Sequence, residues 1–190
     1  AQGVFGLAVS PDGSRVASSC TDGTAKIWDA ATGNVLVTLE GHTAELFNVS
    51  FSPDGARVAT ASRDGTARVW DVASGAELVV FRGHDKPVVQ ALFAPGGDVL
   101  ASCSYEVPPA SEDTPFAIDG TVKLWRAATG EELMTMHGGE KPLSELAFSR
   151  DGTRVAAGSW HYAVYVWDVA TGELVQTFEI PDEGVYRAID

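Results

Sequence analysis

The chain has 190 residues, 45% of them hydrophobic and 21% charged, a composition typical of a globular domain with a sizeable core. Its 26 acidic and 13 basic residues give a net charge of −13, and no segment concentrates Lys and Arg. We therefore expect no nucleic-acid partner, since phosphate binding needs a basic footprint. No apolar run reaches the ~18 residues of a membrane-spanning helix, so we expect no membrane partner. The two cysteines, Cys20 and Cys103, are too few for a disulfide framework and favour a reducing, cytoplasmic location.

A repeat of 42 residues organises the chain from its first residues onward. The segment VSPDGSRVASSCTDGTAKIWDAATGNVLVTLEGH, which begins at Val9, returns at Phe51 as FSPDGARVATASRDGTARVWDVASGAELVVFRGH. The equivalent tryptophans are separated by 42, 55 and 42 residues, and the SPDG-type turns by 42, 42 and 55. Both spacings give four repeats and place 13 added residues in the third repeat, between Gly97 and Trp125.

Each repeat contains four short apolar runs separated by turn signals. In the second repeat the runs are LFNVSFS, ARVATAS, TARVWD and AELVVF, separated by PDG, RDG and VASG. Four short strands with short loops predict one antiparallel meander. Because the runs carry apolar residues on both faces, each sheet must be covered on both sides by its neighbours. Radial stacking of four-stranded sheets satisfies this requirement, so the sequence predicts an all-β fold, a β-propeller of four-stranded antiparallel blades.

The repeat also predicts where the blades begin and end. We expect blades at about 1–42, 43–84, 85–139 and 140–182, with 183–190 as the innermost strand of a further blade, because EGVYRAID matches QGVFGLAV at 2–9. We expect the ring to be completed by the rest of a longer chain or by association of copies, and we favour the longer chain. The proline-rich, acidic residues 105–118 are expected to form a protruding loop insertion.

The recurring Gly-His, SPDG and DGT sequences, the last followed by Trp-Asp, resemble the WD-repeat (WD40) family over essentially the whole chain. The resemblance implies a non-catalytic protein–protein interaction scaffold, a platform belonging to a larger signalling or regulatory protein, without cofactor or metal. Its partner would be a protein or peptide. Two alternatives stay open: a central-channel ligand sensor or propeller enzyme, and a self-assembling structural module.

In this family a buried polar chain links a His, a Ser or Thr, an Asp and the Trp of each blade. The resemblance assigns this hydrogen-bond network to His42, Thr60, Asp64 and Trp70, to His84, Ser102, Asp119 and Trp125, to Ser18, Asp22 and Trp28, and to Trp167. In the fourth repeat Gly139, Ala157 and His161 occupy the other three positions. Because the same constellation recurs at fixed spacing, we interpret it as structural and not as a catalytic triad. We expect the basic residue two before each of the first three tryptophans to point to solvent; these are Lys26, Arg68 and Lys123.

The resemblance also implies a binding rim, formed by the loops before the innermost strand and between the second and third strands. The candidate partner-binding residues on this rim are Phe5, Phe47, Arg63, Val89, Tyr105, Ile118, Trp160 and Tyr186. Aromatic residues and Arg dominate protein interfaces, which favours a contact role. The alternative is that Phe5, Phe47 and Tyr186 pack between blades.

Overall fold

The computed structural model describes residues 3–104, 120–138, 142–159 and 163–179, which form sixteen β-strands in four sheets. Sheet 1 contains β1 (Val4–Val9), β2 (Arg15–Cys20), β3 (Ala25–Asp29) and β4 (Val35–Leu39). Sheet 2 contains β5 (Leu46–Phe51), β6 (Arg57–Ser62), β7 (Thr66–Asp71) and β8 (Glu77–Arg82). Sheet 3 contains β9 (Val88–Phe93), β10 (Val99–Ser104), β11 (Thr121–Arg126) and β12 (Glu132–His137). Sheet 4 contains β13 (Leu143–Phe148), β14 (Arg154–Ser159), β15 (Ala163–Asp168) and β16 (Leu174–Glu179).

Every sheet is an antiparallel meander in which each strand pairs with the next strand along the chain. The turn between the first two strands of sheet 2 shows why the SPDG sequence recurs. Gly55 adopts φ +70°, its N–H donates to the Ser52 carbonyl at 2.9 Å, and the Asp54 carboxylate accepts the Ala56 N–H at 3.0 Å. Glycine tolerates this left-handed conformation, and Asp closes the turn on its own backbone. The predicted fold class, all-β with four-stranded antiparallel blades, is confirmed.

The four sheets follow one another in an arc, and the ring is not closed in this chain. The first strands contact one another in succession, β1 with β5, β5 with β9 and β9 with β13, so they form the inner edge. The fourth strands lie outside and expose apolar side chains such as Val35, Leu78 and Leu133. The strands therefore run between two edges of the arc, and loops and turns form both edges.

Three apolar clusters, one between each pair of neighbouring sheets, form the core. Between sheets 1 and 2, Ile27 and Leu39 pack with Val49 and Trp70. The next interface is equivalent and brings Val69 and Phe81 against Ala91 and Trp125, with the Phe81 and Trp125 rings 5.4 Å apart. In the third, Leu124 and Met136 pack with Leu146 and Trp167. Each of these three tryptophans therefore faces the preceding sheet, which fixes the direction in which the sheets stack.

The blade boundaries near residues 42, 84 and 139 stay predictions. The loop insertion at 105–118 and the further strand at 183–190 lie outside the described residues.

Candidate functional site

In sheets 1 to 3 the Trp stands at the equivalent position of each repeat, and its indole N–H donates to a hydroxyl of the neighbouring strand. In sheet 2, Trp70 pairs with Val58 across β6 and β7, so Thr60, two residues along, lies diagonally on the same face. Trp70 Nε1 donates to Thr60 Oγ1 at 2.8 Å. The equivalent distances are 2.8 Å from Trp28 to Ser18 and 2.7 Å from Trp125 to Ser102.

His42 extends this pair into a chain of hydrogen bonds in sheet 2. Its Nε2 lies 2.8 Å from Thr60 Oγ1 and its Nδ1 lies 2.8 Å from Asp64 Oδ2. A neutral imidazole that donates from Nδ1 to Asp64 and accepts at Nε2 from the Thr60 hydroxyl satisfies every polar atom of the chain. Burial lowers the pKa of His42 and outweighs the raising effect of Asp64, so the ring is neutral at pH 7.

Asp64 is the acceptor at the end of this chain. Its carboxylate also accepts the Thr43 N–H at 3.1 Å and the Thr66 hydroxyl at 2.6 Å. Burial raises the pKa of the Asp64 carboxyl, but hydrogen bonds from His42 and Thr66 together outweigh it and hold the pKa well below its usual range. Asp64 is therefore a stable anion that accepts hydrogen bonds. It does not take up a proton at neutral pH.

Sheet 3 repeats the arrangement as far as it is described. His84 Nε2 lies 2.7 Å from Ser102 Oγ, and the Thr121 hydroxyl lies 3.3 Å from His84 Nδ1. Burial is the main cause that lowers the pKa of His84 to about 4, so it too is neutral at pH 7. Asp119, the fourth residue assigned from the sequence, lies outside the described residues.

Sheets 1 and 4 carry reduced versions of this network. In sheet 1, Asp22 accepts the hydroxyl and the N–H of Thr24 at 2.8 and 3.0 Å. In sheet 4, Ala157 stands where sheet 2 has Thr60, and Trp167 stays buried with the Tyr165 ring stacked 5.9 Å away. Gly139 and His161 lie outside the described residues.

The expectation that Arg68 and Lys123 point to solvent is wrong. The Arg68 side chain is only 9% exposed and forms ion pairs with Glu77 at 2.6 Å and Asp64 at 3.6 Å. Lys123 Nζ binds Glu132 at 2.9 Å and the Thr135 hydroxyl at 2.7 Å. Residues two before a Trp share its face, and that face lies against the preceding sheet. A Glu stands seven residues after the Trp in the second and third repeats only. This pattern could have indicated that Arg68 and Lys123 form ion pairs.

The Gly of the Gly-His sequence makes room for these side chains. A Cβ on Gly83 would lie 2.6 Å from Trp125 Cη2 and 2.9 Å from Glu132 Oε2. We expect Gly83→Ala to lower the free energy of unfolding by about 1–3 kcal/mol, because the ring must shift within a packed interface. Gly96→Ala is the matched control, since a Cβ there meets no atom within 4 Å. Urea unfolding of both variants checks this, and equal midpoints would contradict it.

At the rim, the described candidates form an aromatic pair and an ion pair. The rings of Phe5 and Phe47 meet edge to face with centroids 5.9 Å apart, and Phe5 is largely exposed. Arg63 Nη1 lies 3.0 Å from Glu45 Oε2, and both side chains are exposed. Val89 is half-buried. The other four candidates lie outside the described residues; they are Tyr105, Ile118, Trp160 and Tyr186.

Polar side chains of the innermost strands link neighbouring sheets, a role that the sequence did not indicate. Asn48 Oδ1 accepts the Ala91 N–H at 3.2 Å, and Gln90 Oε1 accepts the Leu146 N–H. Among the described residues, no cluster of three or more His, Cys, Asp or Glu side chains is placed to hold a metal ion. The same part of the chain contains no helix long and apolar enough to cross a membrane.

Comparison with known proteins bears on the four sheets directly. A family model described as WD domain, G-beta repeat matches the chain four times, at residues 1–29, 33–71, 75–126 and 130–168. The chain belongs to the WD-repeat family. The number of matches agrees with the four sheets of this WD-repeat chain. The third match spans residues 105–118, where the sequence predicts the loop insertion.

Two curated proteins resemble part of the chain. Periodic tryptophan protein 2 homolog of Schizosaccharomyces pombe is 36% identical over 61 residues, 32% of this chain and 7% of that protein. Eukaryotic translation initiation factor 3 subunit I of Debaryomyces hansenii is 32% identical over 65 residues, 34% of this chain and 19% of that protein. The chain thus matches less than a fifth of the length of either relative.

Proposed function

We propose that this WD-repeat chain is a non-catalytic platform for a protein or peptide partner, working within a larger signalling or regulatory assembly. The observation that carries the proposal is the use of its His, Asp and hydroxyl side chains. In sheet 2 they form a buried chain from Trp70 through Thr60 and His42 to Asp64, with every link 2.8 Å long. A constellation that is repeated and internally satisfied supports the fold and leaves no single reactive centre.

The rim supplies the second line of support. Phe5 and Phe47 present aromatic surface, and the exposed pair of Arg63 and Glu45 lies on the same edge of the arc, where the loop before each sheet meets the turn between its second and third strands. Aromatic side chains and Arg contribute most of the binding energy at protein interfaces. We propose these residues as the centre of the partner site, together with Val89, Tyr105, Ile118, Trp160 and Tyr186.

The alternative of a central-channel ligand sensor or propeller enzyme receives less support. Such a site needs free polar groups on the innermost strands, but Asn48 and Gln90 are engaged in bonds between sheets. The acidic balance of the chain also supports a protein partner over a nucleic acid. Both cysteines are buried free thiols, which is in keeping with the proposed cytoplasmic location.

The name of one relative is compatible with assembly into a larger complex. That relative is a subunit of a translation initiation factor by its name, and its resemblance covers 34% of this chain. We take from this only the general class of a scaffold in a multi-protein complex, because the identity covers a minor part of that protein.

Selection of peptides from a randomised display library on the immobilised chain tests the proposal. Selected peptides should lose at least about tenfold in affinity on the rim variants Phe5→Ala and Arg63→Ala, the loss of about 1.4 kcal/mol expected at an interface centre. Pro11→Ala and Pro53→Ala are the matched controls, since both exposed prolines lie in turns at the opposite edge. Their affinities should change less than twofold.

Two results would contradict the platform. One is the absence of any enriched peptide, and the other is a set of peptides whose binding depends on the turns and not on the rim. A small molecule that competes with the peptides and is insensitive to Phe5→Ala and Arg63→Ala would favour the sensor instead.

A further inference from the structure

The turn between the third and fourth strands of sheets 2 and 3 lies against the outer strand of the preceding sheet. A Cβ on Gly75, in the turn of sheet 2, would lie 2.6 Å from Val37 Cγ1 of sheet 1. A Cβ on Gly130, in the turn of sheet 3, would lie 2.9 Å from Val79 Cγ1 of sheet 2. At two of the three interfaces between sheets, a glycine turn therefore packs on a valine of the outer strand.

The interface between sheets 3 and 4 uses a methionine in place of this valine. Met134 pairs with Leu124 across β11 and β12, as Val79 pairs with Val69 in sheet 2. The Met134 side chain lies against Gly172 of sheet 4, where a Cβ would overlap the sulfur and would lie 3.1 Å from Cγ and 3.2 Å from Cε. Gly172 adopts φ +71°, a conformation that favours glycine, so the sulfur packs directly on the backbone of this turn.

The sulfur-containing side chains of the protein differ in exposure. Met134 is half-buried, whereas the second methionine, Met136, is 3% exposed in the cluster between sheets 3 and 4. Cys20 and Cys103 are buried, and burial raises the pKa of the Cys103 thiol to about 12, which keeps it from forming a reactive thiolate at neutral pH. Met134 is therefore the sulfur-containing residue that solvent reaches most readily.

We propose that Met134 is a site of reversible oxidation by hydrogen peroxide, and that its sulfoxide loosens sheet 4 from sheet 3. The thioether sulfur attacks one peroxide oxygen with a lone pair, the O–O bond breaks, and the other oxygen leaves as water. The sulfur loses two electrons and the peroxide gains them, so the product is methionine sulfoxide. Methionine sulfoxide reductases reverse this change.

The added oxygen turns an apolar contact into a polar and bulkier one. It is carried by the atom that packs on Gly172, at a point where the turn has no room even for a Cβ. Enlarging a packed contact and burying a polar atom in it both destabilise the interface. The interfaces closed by Val37 and Val79 cannot be oxidised in this way, so the effect is confined to sheet 4. The site is also separate from the proposed partner rim, because Gly172 lies in a turn at the opposite edge.

Treatment of the 190-residue chain with hydrogen peroxide, followed by peptide mass spectrometry and amide hydrogen exchange, tests this site. We expect Met134 to be oxidised at least about tenfold faster than Met136, because exposure controls access of the oxidant. In the oxidised protein the amides of β14 and β15 should exchange at least about tenfold faster, while those of β6 and β7 in sheet 2 are unchanged. Treatment with a methionine sulfoxide reductase should restore the original exchange.

Two variants separate Met134 from the other oxidisable side chains. Met134→Val should fold, since valine holds the equivalent place at the other two interfaces, and its hydrogen exchange should not respond to peroxide. Met136→Leu is the matched control, a volume-conserving change that should leave the response as it is in the unmodified chain. Equal oxidation rates at the two methionines would overturn the proposal. A sulfoxide at Met134 that leaves exchange in sheet 4 unchanged, or a peroxide response that persists in Met134→Val, overturns it as well.

Discussion

Thr60→Val is expected to lower the free energy of unfolding by about 2–4 kcal/mol. Valine keeps the shape of the side chain but removes the hydroxyl that accepts from Trp70 Nε1 and bonds His42 Nε2, each at 2.8 Å. Two buried polar atoms then lose their partner, and each such loss costs about 1–3 kcal/mol. Urea unfolding monitored by tryptophan fluorescence measures the change.

Thr43→Val is the matched control for this substitution. Thr43 lies next to His42 in the same loop, is exposed, and contributes its backbone N–H and not its hydroxyl to Asp64. Its replacement should change stability by less than about 0.5 kcal/mol. If both valine variants unfolded at the same urea concentration, the hydrogen bonds of Thr60 would contribute nothing to the fold.

Asp64→Ala is expected to cost about 3–5 kcal/mol, the larger of the two effects. The substitution removes the acceptor of His42, Thr43 and Thr66 and leaves Glu77 as the carboxylate that pairs with the buried Arg68. Removing one partner of a buried charge pair is costly because the other charge stays desolvated. Asp64→Asn should cost less, since an amide oxygen still accepts one of these hydrogen bonds.

Asp54→Ala in the same sheet is the control. Asp54 accepts from Ser52 and Ala56 in an exposed turn, where water replaces the lost partner, so we expect a cost of about 1 kcal/mol or less.

Asp64 also makes the stability of the fold depend on pH, because the pKa of its carboxyl is lowered in the folded state. The contribution of Asp64 to the free energy of unfolding is complete above about pH 4 and is lost as the pH falls below that value. Asp64→Ala should remove this pH dependence.

The sequence was sufficient to predict the strands, because the turn residues that separate them lie next to them in the chain. The turn at Ser52–Gly55 and the tryptophan spacing follow from residues close together in the chain, and both recur at one offset. The fold class and the family were accessible for the same reason. Local turn chemistry and a fixed repeat length leave few arrangements of the strands.

Contacts between sheets were harder to predict. The burial of Arg68 depends on the preceding sheet, and its partner Glu77 is recognisable only once the shared face is known. The links of Asn48 and Gln90 reach across to backbone atoms of the next sheet, so no spacing within one repeat reveals them.

We propose that stability resides in the buried network and that binding resides on the rim. Titration of one rim-selected peptide against Thr60→Val and Arg63→Ala, under conditions in which both variants are folded, tests this separation most directly. We expect Thr60→Val to bind as the unmodified chain does, and Arg63→Ala to lose at least about tenfold in affinity with its unfolding midpoint unchanged. Loss of binding in folded Thr60→Val, with full affinity in Arg63→Ala, would contradict this separation of stability from binding.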